Sequence, residues 1–182
     1  GDEKEGKRIA NEIDRYRKNK PIKNSKELAL IIKKAKKKNI SYKKNPATKT
    51  FQAIRIFVNK ELTELISGLI GATKLLSNGG TLIVVSFHSI EDRIVKNFFN
   101  FYSSIKSNPS RYLPTKENKF NLFKKVCKKV LLPSLIEINE NPPSRSAKLR
   151  YAIKKEDFYN FETDIFKKFE HLIEIENFSK KL

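Results

Sequence analysis

His88, Ser89 and Asp92 bring the side-chain types of a hydrolytic triad into five consecutive positions. A base, a nucleophile and an orienting acid must act in line, and side chains in line come from separate elements that meet in space. A triad is therefore set aside. Ser89, with Asp92 three positions later, reads instead as a capping box that opens a helix. His88 keeps a second meaning, because it follows directly on residues 81 to 87, where Leu82, Ile83, Val84 and Val85 run consecutively as an apolar strand. In open α/β sheets the residues just beyond the carboxyl ends of the strands face the ligand crevice. Phe87, His88 and Ser89 are the candidate crevice residues.

Asn141-Pro142-Pro143-Ser144 has the outline of the Asn-Pro-Pro-aromatic turn with which amino-group methyltransferases hold an exocyclic amine. Ser in the fourth place removes the stacking ring, and the turn reads more simply as a helix stop ahead of the last strand. His171 stands alone on an amphipathic segment and reads as a surface or packing residue. The single cysteine, Cys127, excludes an intrachain disulfide and a cysteine-based metal site, and it fits a reducing compartment. Neither G-x-G-x-x-G nor a P-loop occurs, and Gly79-Gly80 is a turn.

The elements that must position these residues follow from apolar spacing. Ile9, Ile13 and Tyr16 predict a helix closed by Pro21. Asn24 and Glu27 predict a capping box on a second helix with Leu28, Ile31, Ile32 and Ala35 on one face. The run from Lys33 to Lys38 at its end serves either as a solvated terminus that complements the helix dipole or as an RNA contact. Asn45-Pro46 predicts a helix start, and steps of three and four from Phe51 through Val58, Leu62 and Leu69 extend one long helix to about Leu76. Residues 81 to 87, apolar on both faces, predict an interior parallel strand. A helix to about Tyr102 follows, with Ile94, Val95, Phe98 and Phe99 inward. After a loop over 103 to 118 come a strand around Phe123 and Val126, a short helix capped by Ser134 and a closing strand over 147 to 154. Phe166, Phe169, Leu172, Ile173 and Phe178, with Ile165 before them, predict an amphipathic helical tail. The fold class is α/β.

A chain of 182 residues fits one domain or one and a fraction. It contains no apolar run of membrane-spanning length and no signal-peptide stretch at its start, so a soluble, cytoplasmic protein without a membrane partner is expected. Methionine is absent even at position 1, as in a chain that has lost its initiator or a piece of a longer one. The net charge of +19 favours a polyanionic partner, although Lys, Asn, Ile and Phe are over-used together in the manner of an AT-rich genome. Distribution is more telling than total. Residues 1 to 60 hold 19 bases and 6 acids, 61 to 155 hold 16 and 7, and 156 to 182 hold 4 and 7. The basic character belongs to the first two thirds.

The block from Gly79-Gly80-Thr81 through Ser86-Phe87-His88-Ser89-Ile90-Glu91-Asp92-Arg93 to Lys96 resembles that of the ribosomal RNA small subunit methyltransferase H family, whose members methylate N4 of a 16S rRNA cytidine. Lys7-Arg8-Ile9-Ala10, Pro46 to Ile56, and Asn141-Pro142 through Arg145-Ser146-Ala147-Lys148-Leu149-Arg150 agree in the same order. The resemblance implies the C-terminal part of a Rossmann-like methyltransferase domain (59–155), the latter part of an inserted all-helical substrate domain (1–58) and a helical tail (156–182). It implies S-adenosylmethionine as donor and the 16S rRNA of the small ribosomal subunit as partner. The family's glycine-rich donor loop and ribose-binding acid have no counterpart here, so the donor site falls mostly outside this chain, which alone is expected to be inactive. Pro143 replaces a usual basic residue. Lys49, Arg55, Arg93, Arg145, Lys148 and Arg150 are the candidate RNA contacts. A non-catalytic rRNA-binding protein derived from a truncated methyltransferase is the alternative.

Overall fold

The computed structural model describes residues 3–36, 45–103, 122–127, 129–155 and 166–178. They divide into two compact units between Glu61 and Leu62. The first holds α1 (Gly6–Asn19), α2 (Ser25–Ala35) and α3 (Thr48–Asn59). The apolar stripes of α1 and α2 meet there, burying Ile9, Ile32, Ala35 and Ala47 with Ile13, Leu28 and Phe51 packed around them. Asn24 caps α2 by accepting the Glu27 amide at 2.9 Å. Glu27 does not return the bond to Asn24. One of its oxygens accepts from the Lys23 amide and the other from the Tyr16 hydroxyl at 2.6 Å, which fastens α2 to α1. Within the lysine run Lys36 turns inward, its ammonium 2.6 Å from the Glu3 carboxylate.

In place of the single helix expected from Pro46 to Leu76 there are two, α3 and α4 (Glu61–Leu75), separated by one residue. Lys60 takes the left-handed conformation with φ 52°, and its N–H reaches back to the carbonyls of Ile56 and Phe57. A one-residue break leaves steps of three and four intact, so periodicity cannot detect it. The start also moves, because Asn45 accepts the Ala47 amide in a tight turn and α3 begins at Thr48.

The second unit is built on a three-stranded sheet ordered β1 (Thr81–Ser86), β3 (Lys148–Lys154), β2 (Phe123–Val126). Both pairings are antiparallel, with Thr81 opposite Ile153 and Ser86 opposite Lys148. This corrects the expected parallel strand, since an apolar run fixes how deeply a strand can be buried but not the direction of its neighbour. Among the described residues the other edge of β1 has no partner strand. Helix α5 (Ser89–Phe101) lies across all three strands on the face of Leu82, Val84, Arg150 and Ala152. Ile94, Val95, Phe98, Phe99, Tyr102 and Phe123 fill that side, with the Phe98 and Tyr102 rings edge to face at 5.0 Å. The opposite face leaves Ile83 59% and Val85 49% exposed. Helix α6 (Leu135–Glu140), capped by the Ser134 hydroxyl, stops in a 3-10 turn over Pro142–Ser146, and α7 (Glu170–Asn177) follows β3. No helix of the described residues is long and apolar enough to cross a membrane.

Candidate functional site

Because Ser86 pairs with Lys148, the turn leaving β1 and the turn entering β3 emerge at the same end of the sheet. Phe87, His88 and Ser89 leave the sheet at the end where the chain from the Pro142–Ser146 turn enters it. The cap of α5 is one residue earlier than expected: His88, not Ser89, is the N-cap, and Glu91, not Asp92, completes the box. The His88 Nδ1 accepts the Glu91 amide at 3.3 Å, which places the ring proton on Nε2. That Nε2 lies 3.1 Å from a Glu91 oxygen, off the line of a hydrogen bond. The other Glu91 oxygen accepts the amides of Phe87 at 3.0 Å and His88 at 3.3 Å. Burial, the largest single influence, pushes the Glu91 carboxyl up, but the His88 ring and these amides together outweigh it and hold it below its usual range. The result is a fixed turn that leaves Phe87 57% exposed at the strand end.

Asp92 does different work. Its two oxygens take the Arg150 guanidinium at 2.7 and 3.3 Å, and the Lys148 ammonium lies 3.4 Å away. Burial again raises the Asp92 carboxyl, and the Arg150 hydrogen bond and the two positive charges lower it further than burial raises it. This pair ties the first turn of α5 to β3 at the end of the sheet where β1 finishes. Of the residues expected to contact RNA, Arg150 is 7% exposed with its guanidinium engaged by Asp92, and Lys148 lies beside the same carboxylate. Alternation along β3 accounts for this, because Lys148 and Arg150 share the face that α5 covers.

Arg93 and Arg145 remain exposed, one on the first turn of α5 and the other in the 3-10 turn. Ser144 points inward, its hydroxyl buried without a hydrogen-bond partner, so the Asn-Pro-Pro-Ser segment presents Pro142 and Pro143 outward. In the first unit Lys49 is exposed on α3, and Arg55 pairs with Glu61 at 2.7 Å.

Helix α4 takes its cap from far along the chain, at a residue that sequence reasoning missed. Glu176 of α7, 2% exposed, accepts the amides of Leu62 at 3.0 Å and Thr63 at 2.9 Å and the Thr63 hydroxyl at 2.6 Å. Its only sequence signal is its place on the face of Phe169, Leu172 and Ile173.

A family model described as the MraW methylase family matches residues 1–155. The chain belongs to the MraW methylase family. Among curated relatives, proteins named ribosomal RNA small subunit methyltransferase H are 49% identical in Ehrlichia chaffeensis and 48% in Ehrlichia canis, each over 85% of this chain and 49% of the relative. The one from Agrobacterium fabrum is 43% identical over 85% of this chain and 45% of its own length. The chain thus spans about half the length of the curated relatives it matches, and α7 lies beyond the family match.

S-adenosylmethionine, the donor implied by the resemblance, does not fit the acids at this end of the sheet. A donor's ribose hydroxyls need a carboxylate with free acceptors, whereas both Asp92 oxygens are engaged by Arg150 and one Glu91 oxygen by the α5 cap, with the other against the His88 ring.

Proposed function

We propose that this MraW methylase family chain supplies the target-side half of a methyltransferase that acts on N4 of a cytidine in 16S rRNA, with S-adenosylmethionine as donor bound by residues other than these. The observation that carries this reading is the exposed aromatic ring of Phe87, which follows directly on the end of β1 that the Asp92–Arg150 pair locks to β3, with Arg93 and Arg145 exposed on the helix and the turn that flank that end in sequence. Cytosine N4 is a weak nucleophile because its lone pair is delocalised into the ring. Orientation must therefore supply much of the rate, and a structured base must leave its stack first. Phe87 offers a ring on which an extruded base can stack. Arg93 and Arg145 are the cations offered to the flanking phosphates, and the His88–Glu91 cap ties the Phe87 backbone to the start of α5.

The test is reconstitution. The 182-residue chain is mixed with the N-terminal half of the Ehrlichia chaffeensis relative, radiolabelled S-adenosylmethionine and undermethylated small subunits, and the product nucleosides are resolved by mass spectrometry. Label on cytidine N4 with both halves and none with the chain alone is expected. Label on another base, or RNA binding without transfer under every condition, would replace this reading with that of a non-catalytic rRNA-binding protein.

A further inference from the structure

Helices α1 and α2 are both rich in cations, but they treat them differently. On α1, Arg8 lies 4.0 Å from Glu5, Arg15 3.2 Å from Glu12 and Lys18 3.0 Å from Asp14, so these three cations each have an acid one turn away, while Lys7 and Arg17 are exposed with no acid within ion-pair distance among the described residues. On α2 the charges that turn inward are matched, Glu27 by Tyr16 and Lys20, and Lys36 by Glu3. Lys23, Lys26, Lys33 and Lys34 point outward, and among the described residues none of them has an acid within ion-pair distance. They flank Leu30, which is 61% exposed.

From this contrast we infer that the outer face of α2 is a phosphate-contacting surface for RNA, and that the paired stripe of α1 is not. The inference rests on the RNA-directed reading above and places part of its substrate contact. An uncompensated row of like charges destabilises a helix by self-repulsion unless a polyanion neutralises it, whereas intrahelical pairs hold their own counter-charge. Lys26, Lys33 and Lys34 span roughly 12 Å of α2 at a rise of 1.5 Å per residue, about two helical turns, and Lys23 stands just ahead of the Asn24 cap. They are lysines rather than arginines, compact point charges that suit phosphates and do not read base edges in bidentate fashion. Binding through this face is therefore indifferent to sequence. It adds affinity and leaves the choice of base to the crevice.

The experiment measures fluorescence anisotropy of a labelled small-subunit rRNA stem-loop and of a scrambled stem-loop with the full chain, from low to moderate salt. Three variants are compared: Lys23, Lys26, Lys33 and Lys34 all to Gln; the same four to Arg; and Arg8, Arg15 and Lys18 all to Gln. Circular dichroism confirms that each is folded. The four-Gln variant should show a log–log salt slope shallower by about three, at roughly 0.7 to 0.9 for each phosphate no longer neutralised. The four-Arg variant should keep the wild-type slope, the α1 variant should change it by less than the share of a single phosphate, and both stem-loops should respond alike. An unchanged slope in the four-Gln variant overturns the inference, as does an equal fall in the α1 variant. Wild-type binding that ignores salt overturns it together with the RNA part of the reading it rests on. Transfer to a base other than cytidine with the α2 effect intact removes only that reading.

Discussion

The helical unit closes its own core, while the sheet unit closes one side of its sheet and leaves the other apolar. In the first unit Ile9, Ile32, Ala35 and Ala47 are buried among helices, and the inward charges Glu27 and Lys36 find partners no more than 33 residues away. In the second, α5 and its aromatic cluster cover the Val84–Ala152 side, yet Ile83 and Val85 remain exposed opposite it beside an edge without a partner among the described residues. An exposed apolar face next to an open edge is a surface for association. The same chain therefore contains a unit with a closed core and one that gains from a covering partner. Stability of the second unit should depend on a few large side chains.

The largest effect expected from that contrast is in the aromatic cluster. Phe98 is fully buried against Phe99, Tyr102 and Phe123, and Phe98→Ala should cost about 4 kcal/mol of the second unit's stability. Urea unfolding followed by residue-resolved NMR would show β1 to β3 melting while α1 and α2 persist. Concerted loss of both units would contradict the separation.

Next comes the crevice lock. Asp92→Asn leaves the Arg150 guanidinium buried without its counter-charge and should cost about 3 kcal/mol. Because the Asp92 carboxyl is depressed in the fold, its contribution is present above the ordinary value of about 3.9 and is lost as pH falls from there through the depressed value. The stability advantage of wild type over Asp92→Asn should therefore shrink on acidification below about pH 4. A gap that stays constant down to pH 2 would show that the pair does not titrate this way.

A smaller loss, about 1 to 2 kcal/mol, is expected when Glu176→Ala removes the cap from α4. Hydrogen exchange at the Leu62 and Thr63 amides reads it directly, and rates that stay at the wild-type level would mean that water caps the helix equally well. The smallest effect on folding belongs to the open face. Ile83→Lys should change stability by no more than about 0.5 kcal/mol, since the side chain is largely exposed already. It should nonetheless shift the sedimentation of the chain toward monomer, and a wild-type chain that is monomeric at all concentrations would remove the association surface.

What is legible in the sequence follows local rules. Asn24 and Ser134 mark their helices because a short polar side chain before an apolar stripe has one obvious use. The inward positions Ile94, Val95, Phe98 and Phe99 follow from the 3.6-residue period. The α5 cap falls one residue before the expected Ser89, which outranks His88 in cap preference, and only the fold shows the imidazole turned onto the Glu91 amide. Arg145 is exposed in its loop as its position suggests, while Arg150 is buried, because its pairing with Asp92 joins residues 58 apart. The Lys60 break is silent in hydrophobic spacing. Partners of high sequence separation and single-residue backbone states leave no periodic trace.

The Glu176 cap also sets an order in time. Thr63 and Glu176 are 113 residues apart, and at a synthesis rate of about 5 to 20 residues per second the carboxylate arrives roughly 6 to 23 s after the amides it must hold. The Glu3–Lys36 and Tyr16–Glu27 pairs are complete before Thr63 has been made. During vectorial synthesis the helical unit is thus a finished body while the first turn of α4 waits with open donors. A nascent chain stalled just before residue 176 would carry a folded, strongly basic unit followed by a helix whose first turn is still uncapped, in the immediate neighbourhood of ribosomal RNA.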